Sequence, residues 1–595
     1  MVLKKCGQPF LSRVTTIKSG NIKQFQTLNG RKTVIMTIAV HWFRNGLRLH
    51  DNPALIEAQN NADNLITLFI FDETTFNTKW YGYNRLRFLL ESLKDLNNNL
   101  TLVGGHLYIL QGSPVKIFKM IKEKIGLDFI TFEQDCDHIG KNRDDKVKMF
   151  CNENEIKYIE KVSHTLWNPK LVIEKNGGIA PFTYKQFQNT VNKIGQPPKP
   201  VGNIDWLSTI FEELPTSILD EFKVLNNPTP ESFGLYPEFP ENLISSHRWY
   251  GGETRALEQL NERLEYEKEA FVNGFYLPNQ VNPDLLSPSS SLSAALRYGC
   301  LSIRKFYWEL SKLFIKQFEG DLLPQYSVTS QLIWRDYFYT MSIENKNFGQ
   351  MEDNPACISI PWNDIKIPEN KKMLECWKTG KTGYPFIDAG MRQLMQEGWV
   401  HHVVRNSLAC FLTRGDLWIS WVEGLNHFMK YLLDADFSVC SGNWIWVSSS
   451  TFEQLLDCPL CVCPVNYGLR LDPSGEYIKR YIPELKNMPI EFLYEPWKCP
   501  ESVQKQVGCI IGKDYPNCIV NHTKVSRGNR KKMLALRASM TNEHMVPHCC
   551  PSDREEAQKF MFLPDECMQQ LLPLDNDDSE IFKLLFWTNY HKNQN

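Results

Sequence analysis

The chain has 595 residues, 42% hydrophobic and 23% charged, an ordinary globular composition with enough apolar material for large cores. Its 66 basic and 68 acidic residues leave a formal net charge of −2, which excludes a whole-surface electrostatic nucleic-acid binder but not a local basic groove. No apolar run approaches the roughly 18 residues of a membrane span, and 17 scattered cysteines suit a reducing compartment better than a disulfide framework.

Residues 1–36 carry seven Lys or Arg and no Asp or Glu. That composition suits either a transit-type segment or a disordered basic leader before an alternative start at Met36. From Thr37 onward strand, turn and helix alternate, with strand-like runs at 37–43, 64–71, 106–110, 128–132 and 156–162. Helical periodicity lies between them at 83–96 and 115–125. The alternation predicts an α/β doubly wound parallel sheet over 37–165, a fold that binds ligands at the carboxyl edge of its strands. Neither G-x-G-x-x-G nor a P-loop pattern is present, which disfavours nicotinamide-dinucleotide and P-loop functions. Residues 166–248 read as a Pro-rich, aperiodic interdomain linker. Residues 249–540 show only helical periodicity and predict one large all-α domain. Residues 541–595, with an acidic run at 575–580, read as a C-terminal tail.

Tryptophan is unevenly spread: of sixteen, eight lie between Trp334 and Trp446. Density alone is satisfied by core packing, by a stacking platform or by an electron path. Cys458-x-x-Cys461-x-Cys463 lacks a second Cys/His pair at finger spacing, so no metal site is expected. Ser287-Pro288-Ser289-Ser290-Ser291-Leu292-Ser293 opens a helical pattern; it serves either as a plain helix cap or as a phosphate site, since free N–H groups and the helix dipole favour anions.

Longer motifs follow: Trp249-Tyr250-Gly251-Gly252-Glu253-Thr254, Trp334-Arg335-Asp336, and Gly383-Tyr384-Pro385 running on to Met391-Arg392-Gln393-Leu394. Then come Gly398-Trp399-Val400-His401-His402, Arg405-Asn406, and Asp434-Ala435-Asp436 leading to Cys440-x-Gly442-Asn443-Trp444-x-Trp446. With His41-Trp42-Phe43-Arg44-Asn45-Gly46 near the start, these blocks closely resemble the photolyase/cryptochrome flavoproteins over about residues 37–540. The resemblance is strongest to insect type 1, light-sensing cryptochromes.

That resemblance implies an α/β antenna-type domain joined to a helical domain holding FAD. Ser289, Ser290 and Ser293 would contact its phosphates. Arg405 and Asp434 would form the ion pair beside the isoalloxazine, with Gln331, Trp334, His402, Asp436 and Cys440 also at the cofactor. Trp444, Trp421 and Trp362 would feed electrons to photoexcited FAD, with Trp418 as a fourth member. The spacing of Trp418 and Trp421, three apart, predicts that they share one helix face.

Three positions separate the branches. Cys440 stands where photolyases carry Asn opposite flavin N5; a thiol is a weak acceptor, which favours an anionic semiquinone. Asn406 replaces the second histidine of (6-4) photolyases and cannot donate a proton of tunable pKa. Gln331 replaces the Glu that cyclobutane-dimer photolyases set against the lesion. The resemblance therefore implies a blue-light receptor of the circadian clock, not an enzyme, with weak or absent DNA binding. A light-driven photolyase and a light-independent transcriptional repressor are the rival readings. By resemblance the tail docks beside the flavin through Phe560-Met561-Phe562, and His402 takes part in its release. The implied partners are a Timeless-like clock protein and a ubiquitin ligase, in cytoplasm and nucleus. The basic stretch 524–537 reads as a solvated helix face.

Overall fold

In the computed structural model of the chain the described residues are 27–28, 31–32, 36–73, 76, 80–202, 204–238, 249–272, 283, 285–286, 290–318, 328–451 and 463–539. Ser289, Cys458, Cys461, Phe560, Met561, Phe562 and the tail lie outside them. Within the expected disordered leader, Thr27–Leu28 pairs antiparallel with Arg31–Lys32. The intervening Asn29-Gly30 is a two-residue turn signal that the compositional reading passed over.

Five parallel strands build the α/β domain: β1 (Ile38–Phe43), β2 (Asn64–Phe71), β3 (Leu107–Gln111), β4 (Phe129–Glu133) and β5 (Lys157–Lys161). They lie in the order β5-β4-β1-β2-β3. Side chains alternate across β1. Val40 and Trp42 enter an apolar layer with Ile66, Leu68, Phe118 and Phe132, while Ala39 and Phe43 face the core shared with the helical domain. Helices cover both faces, which is why β1 is buried along its whole length.

The strand order reverses between β1 and β4, where a doubly wound sheet usually takes its ligand. Here that crevice is filled by the chain's own side chains. Arg44 pairs with Asp144 and lies 4.7 Å over both the Trp42 and Phe132 rings. Arg48 reaches Ser163 at 3.2 Å.

The expected aperiodic linker is more ordered than its composition implied. It contains helices Pro169–Lys175, Tyr184–Ile194 and Thr216–Glu221. Ile210–Phe211 and Lys223–Val224 add to the edge of the sheet, on β2 and β3. Pro169–Lys175 and Thr216–Glu221 are too short to show a 3.6-residue period, whereas Tyr184–Ile194 does show one, with Tyr184, Phe187, Val191 and Ile194 on one face. Two of the helices also carry start signals, Asn168 before Pro169 and Thr183 accepting from the Gln186 N–H.

The helical domain runs from Glu253–Val272 to His522–Ser539. It is locked to the α/β domain by buried polar contacts. Asp51 accepts from Arg304 Nη2 at 2.7 Å and from the Val201 N–H at 2.7 Å, and also takes the Ser302 hydroxyl. Asp336 accepts from the N–H groups of Leu166 and Trp167 at 2.7 and 3.0 Å. Gly299 has φ +63°, and a Cβ there would meet the Asn45 carbonyl oxygen at 2.0 Å, so only glycine lets the two domains approach. Removing the charge of Asp51 strands a buried guanidinium. Asp51→Asn, which still tolerates the local φ of +43°, should cost about 3–5 kcal/mol, read as a lowered midpoint in denaturant unfolding.

Candidate functional site

A cavity of about 660 Å³ opens into the helical domain, within the roughly 300–1,000 Å³ of cofactor and ligand sites. Its two ends differ chemically. At one end Ser290 and Ser293 lie at the start of the Ser293–Arg297 helix, and Arg263 Nη1 donates to Ser290 Oγ at 3.1 Å. Arg263 and Glu267 are one turn apart in Glu253–Val272 and pair in the interior, with the Glu267 side chain 0% exposed. A pair at i, i+4 reads in sequence as a surface bridge, so Arg263 was missed. Only burial identifies it as a fixed cation on the cavity wall.

At the other end Arg405 meets Asp434 in a two-point contact, Nη1 to Oδ1 at 3.1 Å and Nη2 to Oδ2 at 3.0 Å. Its Nε donates to the Val400 carbonyl at 2.7 Å, which leaves the guanidinium plane no rotational freedom. Cys440 and Trp444 line the same end from the Phe437–Val447 helix, and His402 and Asn406 from His402–Cys410. Gln331 and Trp334 line the cavity from Val328–Ser342, where Trp334 stacks on Tyr184 at 3.8 Å.

Asp436 also reaches the wall, yet its carboxylate is engaged within the protein. Oδ1 caps the Phe437–Val447 helix through the Val439 N–H at 3.0 Å, and Oδ2 accepts from the Tyr339 hydroxyl and faces Arg297 Nε at 3.5 Å. Its first duty is to place Cys440 and Trp444.

The histidines and the cysteine here are held neutral. Burial, with Arg405 and Arg263 nearby, lowers His402 to about 4, and burial lowers His401 to about 3. Burial pushes the Cys440 thiol up to about 12. At neutral pH the cavity therefore presents arginine charges with neutral imidazoles and a neutral thiol.

Tryptophans pack on and near this wall. A Cβ on Gly424 would meet the Trp444 ring at 2.2 Å, so Trp444 lies directly against the helix that begins with Trp421. Trp421 is 0% exposed. The rings of Trp362 and Trp418 are 4.9 Å apart. The expectation that Trp418 and Trp421 share a helix face is incorrect. Ser420 caps the Trp421–Tyr431 helix through the Val422 N–H, and Trp418 precedes it with φ +54°. Its indole turns back to donate to the Pro361 carbonyl at 2.9 Å.

The basic stretch at 524–537 is not simply a solvated face. In His522–Ser539, Met533 is buried against Trp418, Lys532 Nζ lies 4.8 Å over the Trp418 ring, and His522 Nδ1 is 2.7 Å from Asp416. Asn529 donates to the Gly415 and Asp416 carbonyls at 3.1 Å each. Among the described residues no cluster of His, Cys, Asp or Glu is placed to hold a metal, and no helix is long and apolar enough to cross a membrane.

Residues 39–203 match the DNA photolyase family model, and residues 328–535 match the model described as the FAD binding domain of DNA photolyase. Cryptochrome-1 of Aedes aegypti is 48% identical over 541 residues, covering 88% of this chain and 98% of that protein. The chain belongs to the photolyase/cryptochrome family. Cryptochrome-1 of Drosophila melanogaster is 47% identical over 543 residues, again 88% and 98%. Among solved structures, a cryptochrome from Synechocystis superposes with a TM-score of 0.67 at 25% identity, covering 84% of this chain and 100% of that one. A bacterial class III photolyase from Agrobacterium tumefaciens gives 0.69 at 24% identity, covering 85% and 99%.

The cofactor of this family is FAD, and the cavity suits it. Ser290, Ser293 and Arg263 supply donors for a pyrophosphate, and Arg405 lies beside aromatic walls suited to a flat ring. The buried Trp399 Nε1, on the cavity wall, has no hydrogen-bond partner among the described residues, which costs about 1–3 kcal/mol unless a ligand accepts from it. Arg263→Ala removes the guanidinium from the phosphate end and should weaken FAD retention at least tenfold, measured as flavin absorbance remaining after gel filtration.

The lowered histidines also set an acid limit. A histidine held below its unfolded value of about 6.5 supports the fold above that pH and withdraws support as the unfolded state takes up protons. The thermal midpoint of the flavin-free protein should fall between pH 6.5 and about 4, and less steeply in His402→Gln.

Proposed function

We propose that the protein is a blue-light photoreceptor of the circadian clock, working as the insect type 1 cryptochromes do. One observation carries this reading: indoles cluster at and near the cavity wall, Trp444 against the Trp421 helix and the Trp362 and Trp418 rings against each other. FAD supplies light absorption and a one-electron acceptor. Trp444 is the donor on the wall, and each indole further out refills the one before it.

Cys440 decides what happens to the arriving charge. A neutral thiol neither accepts a strong hydrogen bond nor gives up a proton at neutral pH, so the electron stays unprotonated. His402 then responds. Unit charges about 4 Å apart interact by roughly 4 kcal/mol at an effective dielectric near 20, comparable to the ~5.5 kcal/mol that moves a two-state population from 1:99 to 99:1. A negative charge in the cavity thus draws a proton onto His402, and the tail segment containing Phe560, Met561 and Phe562 is released. Release exposes a surface for a Timeless-like clock protein and a ubiquitin ligase. The output is degradation of clock protein, in cytoplasm and nucleus.

Repair is the competing reading. Against it stand Gln331 and Asn406 on the cavity wall, neither of which donates or accepts a proton near neutral pH.

Blue light on the FAD-loaded protein tests the proposal. Trp421→Phe should slow flavin bleaching at least tenfold. Cys440→Asn should add absorbance at the red end of the spectrum that the unaltered protein lacks. Loss of lesions from ultraviolet-treated DNA under the same light, or a tail whose protease sensitivity ignores light, would sink it.

A further inference from the structure

Trp377 has no place in the row of indoles described above, and on sequence grounds it is core. It is 0% exposed, yet its ring lies 6.3 Å from that of Trp444, edge to face. Its indole N–H donates to the Leu408 carbonyl at 3.1 Å. On its other side the His427 ring is 5.7 Å away, and His427 is in turn 4.8 Å from the Tyr431 ring. The Tyr431 hydroxyl donates to both carboxylate oxygens of Glu238 at 3.0 Å and accepts from Lys430 Nζ at 3.1 Å. Tyr431 and Glu238 line a crevice of about 20 Å³, room enough for a water.

We infer that Trp377, His427 and Tyr431 form a second electron path out of the cavity, ending on a tyrosine that gives its proton to Glu238. This rests on the electron-path reading above, because both routes begin at Trp444. The balance is complete. The photoexcited oxidised flavin takes one electron from Trp444, Trp377 refills Trp444, and Tyr431 refills Trp377. The Tyr431 O–H proton passes to Glu238, leaving a neutral tyrosyl radical and a protonated carboxyl. His427 is a bridge and is not oxidised; burial lowers it to about 3, so the imidazole is neutral and opposes no passing positive charge. The two exits differ in electrostatics. Both Trp418 and Tyr431 have an ammonium over the ring, Lys532 at 4.8 Å and Lys430 at 4.7 Å, but Tyr431 also faces a carboxylate that removes the charge with the proton.

The experiment uses the full FAD-loaded chain under blue light with a nitroso spin trap, followed by peptide mapping. In Trp421→Phe, with the first route cut, the trap should be found on Tyr431. Adding Tyr431→Phe, a half-exposed position whose loss leaves the core intact, should remove that adduct and cut the residual flavin bleaching at least tenfold. Glu238→Gln in the same background should lower adduct yield at least threefold. If Trp421→Phe alone abolishes all bleaching, or if the residue of bleaching ignores Tyr431→Phe, the second path does not exist while the first stands. If Trp444→Phe bleaches as the unaltered protein does, the electron-path reading itself falls and this path with it.

Discussion

The carboxylate of Asp436 holds the site together. It caps the helix that carries Cys440, Trp444 and Trp446, takes the Tyr339 hydroxyl, and faces Arg297. Arg297 extends the contact across the domain boundary to Asn45 Oδ1 at 2.9 Å, just beyond β1. Tyr339 extends it to His164 at 2.8 Å, where Arg335 also arrives. One buried charge therefore sets the position of the cavity wall relative to the sheet. A buried network of this kind is costly when incomplete, because each unpaired member pays full desolvation. The cavity keeps its geometry because the same groups that define it also close the domain interface.

Around this frame, desolvation sorts the titratable groups. Arginines keep their charge in the interior, while imidazoles and thiols give theirs up. The result is a chamber whose arginine charges are permanent and whose histidines are neutral, each able to take one more proton. Such a chamber accommodates an added negative charge without reorganising, and it registers that charge through whichever imidazole is nearest. That is a different problem from acid–base catalysis, which needs a group already poised near neutral pH.

Much of the fold was legible because strands and long helices declare themselves by period. β2 has the expected limits, and the other four strands shift by one residue at one end or both. The connector between the domains was only partly legible: helices of 6 or 7 residues leave little periodic trace, but Tyr184–Ile194 carries apolar residues at 184, 187, 191 and 194 that its Pro-rich surroundings obscured. Motif resemblance brought Ser290, Arg405, Asp434, Cys440 and Trp444 to one cavity. Arg263 escaped because a helical Arg–Glu pair looks the same on a surface and in a core. The relation of Trp418 to Trp421 was misjudged because spacing assumes a continuous helix, and a backbone reversal at position 418 breaks it. Asp436 lines the cavity, and what the motif did not show is that a helix end, a tyrosine and an arginine also engage its carboxylate.

The left-handed backbone of Trp418 has a mechanical meaning. A bulky residue in that conformation stores roughly 1–3 kcal/mol of strain, retained only while surrounding contacts outweigh it. Those contacts are the Pro361 carbonyl, the Trp362 ring and the Met533 side chain, the last belonging to the helix that leads into the final 56 residues. Peeling that helix away would let the loop at position 418 relax, and relaxation would withdraw the surface on which the helix re-docks. The strained backbone at position 418 and the His522–Ser539 helix are thus mechanically coupled, each keeping its conformation through the other.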